Sequence, residues 1–301
     1  VHFYTPEGAQ GYLIEQIREI VSGVSLAPIR AKGKVYILDR VDLLGVSAAN
    51  AFLKTLEEPG EGVTFILLGR TREAVLPTIV SRCQVVPFRH IPAREAAGIL
   101  SQKTGVTPEQ ARIAIEACNG SITRAMTFAK SAERAEFRTR IMEVLSNLPL
   151  SDERDVLEYA AELIERAKAP LDNVRTQQSE ELAESADFLT KTALKQIELR
   201  HKRALSMATR ESLNQTTSII RSWLRDVLMI ASGTPDLIVN IDQREVLQRV
   251  AQKVTPASIM SALREAYKTD ETLSYNVSPE TCLDVLLFSI REVLNGSGNP
   301  H

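Results

Sequence analysis

The chain has 301 residues, enough for two or three domains, with 44% hydrophobic and 25% charged residues, as in ordinary globular proteins. A formal net charge of −2 gives no global sign of nucleic-acid binding. Three widely spaced cysteines without a CxxC pair argue against a disulfide framework or a zinc site within these residues, and no apolar run approaches the ~20 residues of a membrane span.

The start of the chain predicts a strand, a helix and a second strand. Residues 1–4 have the pattern of a strand end and are followed by a Pro-Glu-Gly turn. Apolar residues recur at helical spacing over 10–24, and Lys34–Leu38 forms a short apolar run typical of a buried strand. Because the chain opens on Val1 within a strand and has no signal peptide, we expect a piece of a longer cytoplasmic protein.

The next 50 residues continue this alternation of helices and strands. A helix is predicted over 47–58, where Pro59 ends it, and a buried strand over 63–68. A short helix over 74–80 then leads to a third apolar strand over 84–88. Alternating strands and helices predict a parallel sheet covered by helices on both faces.

From Ile91 onwards the pattern is helical throughout. Three short helices, over 93–103, 108–118 and 121–130, predict a small lid. Further helices are predicted over 133–147, 152–167, 179–231, 242–252, 256–268 and 279–294. The fold class is therefore α/β followed by all-α, with domains at 1–90, 91–131 and 132–301.

Asp39 is the first candidate for chemistry, because it follows an apolar strand at the edge where open α/β sheets bind ligands. In nucleotide hydrolases an acid at this point holds Mg²⁺, and a neighbouring glutamate often positions water. Arg40 stands next to Asp39 and accepts no proton. The interpretation that Asp39 caps the following turn is therefore favoured over a catalytic role.

A phosphate-binding loop is absent from the 301 residues. Its pattern is GxxxxGK followed by Ser or Thr, and the single Gly-Lys pair, Gly33-Lys34, is followed by Val35. Without the loop's backbone N–H groups and lysine, these residues are not expected to bind a triphosphate tightly. The histidines are scattered and show no metal-ligand spacing, so no metal site is predicted.

Two arginines are candidates for contacts with phosphate. Arg82 lies between Ser81 and Cys83 at a predicted surface corner, where it could reach a nucleotide on a neighbouring subunit or form a surface salt bridge. Arg124 opens a lid helix, and an ion pair with a carboxylate is at least as good an interpretation for it as a phosphate contact.

The run Lys34–Asp39, the word LKTLEEP ending at Pro59 and the Ser-Arg-Cys word around Arg82 closely resemble bacterial clamp-loader subunits of the AAA+ class. Over about residues 1–130 the resemblance rests on these short sequence motifs. Over the remainder it rests on the helical pattern alone. It implies an AAA+ parallel sheet, a helical lid and a C-terminal helical collar that joins a pentamer. The family's first strand, phosphate loop and, in many members, zinc module are not present, so we expect the sheet to be incomplete.

Within the family, the chain is more similar to the delta-prime branch of DNA polymerase III than to the ATP-hydrolysing gamma/tau branch. Arg40 replaces the expected glutamate, and Arg70 falls in the first sensor segment. The resemblance implies a non-hydrolysing stator that helps to load a sliding clamp on primed DNA, with gamma/tau and delta subunits as partners. Asp39 would be a degenerate Mg²⁺-binding acid and Arg124 the second sensor.

By the same resemblance, Arg82 would be an arginine finger acting on ATP held by the adjacent gamma/tau subunit. No cofactor is expected in these residues, and zinc would belong to the missing N-terminal part. One alternative is a gamma/tau-type ATPase whose phosphate loop lies upstream of Val1. A second is an interaction module without any link to ATP.

Overall fold

The computed structural model describes residues 1–8, 11–24, 33–185, 191–273 and 277–296. The chain divides into two compact units, Val1–Arg89 and His90–His301. The division lies next to the expected end of the α/β domain at residue 90. A separate boundary between lid and collar at 131/132 stays a prediction.

The first unit contains a parallel three-stranded sheet, and the predicted α/β character is confirmed. The strands lie in the order β1-β2-β3 and are β1 (His2–Tyr4), β2 (Lys34–Leu38) and β3 (Val63–Leu67). The helices are α1 (Ile14–Val24), α2 (Val46–Glu57) and α3 (Pro77–Val80). Each parallel connection runs from the carboxyl edge of one strand back to the amino edge of the next.

The core of this unit lies on one face of the sheet. Tyr36 of β2 is buried and stacks on His2 of β1, while Phe65 of β3 meets Phe52 of α2 edge-on at 5.1 Å between ring centroids. Ile17 and other apolar residues of α1 complete this cluster. Side chains alternate along each strand, so the opposite face carries Phe3, Ile37 and Ile66.

That opposite face corrects one expectation. Phe3 is 61% exposed and Ile66 is 42% exposed, so the described residues cover the sheet on one face and not on both. The apolar pattern of a strand shows that its face is suited to burial. It does not show which element of the protein, if any, covers that face.

The strand predicted over 84–88 is wrong. These residues form no strand, and Phe88 is 93% exposed and Val86 64% exposed. A strand needs a neighbour that pairs with its backbone N–H and C=O groups. The three described strands pair only with one another, and the apolar run over 84–88 pairs with none of them.

Two helix starts also differ from the prediction. The helix expected from residue 10 begins at Ile14, because the backbone N–H of Tyr12 donates to the carbonyl of Leu43 and does not enter a helix. Residues 9 and 10 lie outside the described residues. The helix expected from residue 74 begins at Pro77, where proline suits the first turn and keeps Leu76 extended.

The second unit is helical, as predicted. Its helices are α4 (Ala93–Thr104), α5 (Pro108–Ala117), α6 (Ile122–Lys130), α7 (Ala132–Asn147), α8 (Glu153–Lys168), α9 (Pro170–Ser185), α10 (Lys191–Ala231), α11 (Arg244–Ala251), α12 (Pro256–Leu273) and α13 (Pro279–Leu294). The predicted helix over 179–231 corresponds to the end of α9 together with α10, and residues 186–190 between them lie outside the described residues. None of the described helices has the length and apolar character of a membrane span.

One apolar core joins the helices of this unit. Trp223 of α10 is fully buried, and the core extends from Leu100 of α4 to Ile290 of α13. Within it, the carboxylate of Asp226 is fully buried and accepts hydrogen bonds from the backbone N–H groups of Val239 and Asn240 at 2.9 and 2.7 Å. The contact fixes the loop that follows α10.

Candidate functional site

The carboxyl edge of β2 carries a compact polar group. Asp39 follows the strand, and its Oδ1 accepts the backbone N–H of Arg40 at 3.0 Å, which fits the turn-capping interpretation. The hydroxyl of Tyr12 donates to the carbonyls of Asp39 at 2.6 Å and Tyr4 at 3.1 Å. Burial, together with the charges of Asp39 and Asp42, raises the pKa of the Tyr12 phenol, so it stays a proton donor that links two strand ends.

Arg40 lies in the left-handed region, with φ 55° and ψ 46°. Its Nε donates to both carboxylate oxygens of Asp42, at 3.3 and 3.2 Å, and the Asp42 side chain is only 7% exposed. A non-glycine residue in this conformation costs roughly 1–2 kcal/mol. The guanidinium thus places positive charge beside the strand-end acids, where a metal ion would be repelled.

The Gly33-Lys34 pair leads into a strand. A phosphate loop leads into a helix, whose N-terminal N–H groups face the phosphates. Lys34 is the first residue of β2, and its Nζ donates to the carbonyl of Gly23 at 2.7 Å. The Gly33-Lys34 pair therefore does not have the geometry of a phosphate-binding loop. Among the described residues there is also no group of three or more His, Cys, Asp or Glu side chains that could hold a metal ion.

Arg82 follows α3, a single turn anchored by one apolar side chain. Ile79 is 2% exposed and fixes this turn in the core of the first unit. The backbone N–H of Arg82 donates to the carbonyl of Ile79 at 3.0 Å, and that of Cys83 to Val80 at 3.2 Å. Burial raises the pKa of the Cys83 thiol, which disfavours its nucleophilic thiolate form.

The guanidinium of Arg82 is tied to its own chain. Its Nε donates to Oε1 of Glu57, the last residue of α2, at 2.6 Å, and its Nη2 contacts the same oxygen. Its Nη1 donates to the carbonyl of Thr78 at 3.0 Å and contacts Oγ of Ser81 at 3.3 Å. The Arg82 side chain is nevertheless 31% exposed, so it is fixed at the surface and not enclosed in the core.

Topology separates Arg82 from Asp39. β2 ends beside Asp39, and β3 is parallel to β2, with Val63 opposite Lys34. The chain must therefore return to the amino edge through α2, whose 12 residues span about 18 Å. Glu57 ends α2 near that amino edge and holds Arg82 there. The two predicted site residues of this unit do not form one site.

Arg124 lies in the first turn of α6. Ser121 caps this helix, and Oγ of Ser121 contacts the backbone N–H of Arg124 at 3.5 Å. Nη1 of Arg124 lies 3.7 Å from Oε1 of Glu211 on α10, and both side chains are more than a third exposed. Of the two interpretations left open, the carboxylate contact is the one seen within this unit.

Sequence reasoning did not identify Glu57 as the partner of Arg82. One signal was available. An acidic residue in the last turn of a helix faces the negative end of the helix dipole, which is unfavourable unless a cation compensates it. Glu57 and Glu58 both stand at the end of α2. The identity of the cation depended on the fold, because Arg82 lies 25 residues away.

Comparison with known families bears on both units. Residues 1–92 match the family model described as DNA polymerase III, delta subunit. Residues 179–291 match the model described as DNA polymerase III, delta subunit, C terminal. The chain belongs to the clamp-loader subunits of DNA polymerase III. The first match contains Asp39 and Arg82, and the second contains all of α10, α11 and α12 and most of α13.

The relatives of this clamp-loader subunit include proteins named tau, delta' and gamma. This chain is 31% identical over 178 residues to DNA polymerase III subunit tau of Bacillus subtilis (strain 168), covering 52% of this chain and 32% of the relative. It is 28% identical over 144 residues to subunit delta' of the same organism, covering 48% and 43%. It is 42% identical over 77 residues to subunit gamma of Buchnera aphidicola subsp. Acyrthosiphon pisum, covering 26% and 21%.

The clamp-loader subunit spans less than half the length of each of these relatives. A solved structure of a DNA polymerase III gamma subunit-related protein from Thermotoga maritima aligns with 97% of this chain and 83% of its own. The sequence identity is 19% and the TM-score is 0.41, so the similarity is a loose one.

Proposed function

We propose that this protein is a delta-prime-type, non-hydrolysing clamp-loader subunit. It acts as a stator that helps to place the sliding clamp on primed DNA, and it supplies Arg82 to ATP bound by a neighbouring gamma/tau subunit. The helical second unit, whose C-terminal part matches the delta C-terminal family model, joins the collar of the loader. ATP on the neighbour is the nucleotide involved, and delta is a further partner.

The observation that carries the proposal is the place of Arg82. It is partly exposed at the amino edge of the sheet, while Asp39 occupies the carboxyl edge. An arginine so separated from its own strand-end acid is suited to a nucleotide held by another subunit. Positive charge delivered to a transferring phosphoryl group in trans is worth about 10³–10⁵ in rate in well-studied cases.

The absence of hydrolysis by this subunit is supported by Arg40. Hydrolysis needs an acid that holds Mg²⁺ and a group that orients water. Arg40 offers neither function, and its guanidinium neutralises Asp42 beside the strand end. Arg70, in the expected first sensor segment, is a second departure from the hydrolysing pattern.

Reconstitution tests the proposal. Full-length protein is combined with gamma/tau, delta, clamp and primed DNA, and DNA-stimulated ATP hydrolysis and clamp loading are measured for Arg82→Ala. Hydrolysis at the site that Arg82 serves should slow by about 10³-fold or more, so that total hydrolysis falls to the rate of the other sites. Arg18→Ala is the matched control, since Arg18 is an exposed arginine on α1 of the same unit. Normal activity of Arg82→Ala would refute the finger.

A gamma/tau-type ATPase is the second candidate, and the relatives supply the observation in its favour. The tau and gamma relatives are 31% identical over 178 residues and 42% identical over 77 residues, against 28% over 144 residues for delta'. Titration of the full-length protein with a fluorescent ATP analogue and Mg²⁺ separates the two. The delta-prime proposal expects no Mg²⁺-dependent hydrolysis by the isolated protein, whereas the ATPase candidate expects turnover that DNA stimulates in the loader.

A further inference from the structure

The contact between Arg82 and Glu57 does more than neutralise two surface charges. Surface ion pairs between long, mobile side chains typically contribute 0–1 kcal/mol to stability. Here the arginine is held from two directions, by the carboxylate of Glu57 on α2 and by the carbonyl of Thr78 on its own turn. Two such contacts restrict the guanidinium to one place on the surface of the first unit.

The contacts leave part of the guanidinium available. It has five N–H donors in a rigid fork. Among the described residues, the Glu57 carboxylate accepts from Nε and contacts Nη2. Nη1 contacts the carbonyl of Thr78 and the hydroxyl of Ser81. The second N–H of Nη2 has no partner in these contacts, and the side chain keeps 31% of its surface exposed. A phosphate oxygen can therefore be reached without breaking the Glu57 contact.

We propose that Glu57 is a positioning residue for Arg82, holding the guanidinium in the orientation in which it meets the nucleotide of the adjacent subunit. This inference rests on the proposed function. Electrostatic stabilisation of a transition state depends on donors placed in advance of the reaction. Displacement of a reacting or stabilising group by about 1 Å can cost about 10²-fold in rate. The acid at the end of α2 thus acts on the neighbour's chemistry through Arg82.

The test uses the reconstituted loader with full-length protein. Glu57→Ala removes the carboxylate, and Glu57→Gln keeps an oxygen that accepts the Nε hydrogen bond but removes the charge. Glu58→Ala is the matched control, because Glu58 is the next residue and is also exposed. Arg82→Ala and the double variant Glu57→Ala/Arg82→Ala complete a cycle. Incorporation into the loader is measured for each variant by size-exclusion chromatography.

Glu57→Ala should lower kcat at the site served by Arg82 by about 10- to 100-fold and leave the KM for ATP unchanged, because the neighbour binds the nucleotide. Glu57→Gln should retain an intermediate kcat, and Glu58→Ala should match the parent protein. The double variant should be no slower than Arg82→Ala, because Glu57 acts only through that arginine.

The outcomes separate the inference from the proposed function. If Arg82→Ala has normal activity, the proposed function fails. If Arg82→Ala is slow but Glu57→Ala matches the parent protein or is faster, the finger stands and the positioning role of Glu57 is refuted. A rise in the KM for ATP without loss of kcat, or a double variant clearly slower than Arg82→Ala, would also overturn it.

Discussion

Asn119 and Arg221, 102 residues apart, are joined by a hydrogen bond of 2.7 Å from Nη2 of the arginine to Oδ1 of the asparagine. Asn119 lies in the turn between α5 and α6 with φ 49°, and Oγ of Ser218 donates to the same Oδ1 at 3.0 Å. On its other side, Arg221 pairs with Asp270 of α12 and stacks over the Tyr267 ring. The expected lid is thus fastened to α10 within the second unit.

Asn119 should therefore be sensitive to substitution. Asn119→Ala removes an acceptor of two hydrogen bonds and places a less tolerant residue at positive φ, so it should lower the free energy of unfolding by about 2–3 kcal/mol. Asn119→Gly relieves the backbone but still lacks the acceptor, and should cost about 1 kcal/mol less than the alanine. Asn119→Asp keeps the acceptor oxygens and should stay near the parent. Urea denaturation of the full chain measures all three, and equal losses for alanine and aspartate would contradict the role of Oδ1.

At Arg40, as at Asn119, the glycine variant should be more stable than the alanine variant. Both substitutions remove the ion pair with the nearly buried Asp42, at a cost of about 1–3 kcal/mol. Arg40 has φ 55°, however, and glycine adopts that conformation without a steric penalty. Arg40→Gly should therefore be about 0.5–1 kcal/mol more stable than Arg40→Ala, measured by urea denaturation. An alanine variant as stable as the glycine variant would show that the strain is absent.

Glu280 should contribute a pH-dependent part of the stability of the second unit. A hydrogen bond from the Ser278 hydroxyl and another from Lys168 lower the pKa of Glu280 from its ordinary 4.5 to about 2. Because the folded-state pKa is depressed, this contribution is present above the ordinary pKa and is lost as the pH falls from about 4.5 towards 2.

The free energy of unfolding of Glu280→Gln should therefore depend less steeply on pH between about 4.5 and 2 than that of the parent. Urea denaturation at several pH values in this window measures the slope. Glu245→Gln, which removes an exposed carboxylate from α11, is the control and should leave the slope unchanged. Parallel curves for the parent and Glu280→Gln would contradict the assigned partners.

Much of the fold could be predicted because its signals are local. The apolar run of β2 was located at its observed bounds, and the helix that ends before Pro59 was placed within one residue. Helical spacing and Ser121 as a cap located α6. The strand predicted over 84–88 failed for a non-local reason. Its residues have the composition of a strand, but pairing depends on a neighbour that only the arrangement of the sheet provides.

The sequence by itself determined the types of residue available at the candidate site: an acid after β2, arginine in place of glutamate at Arg40, and an exposed Arg82 in a short corner. Tertiary structure alone decided that Arg40 folds onto Asp42 in a left-handed conformation and that Glu57 holds Arg82 away from Asp39. The physical reason is distance along the chain. Periodicity and capping act within a few residues, whereas an ion pair across 25 residues exists only after parallel strands have brought the end of α2 beside α3.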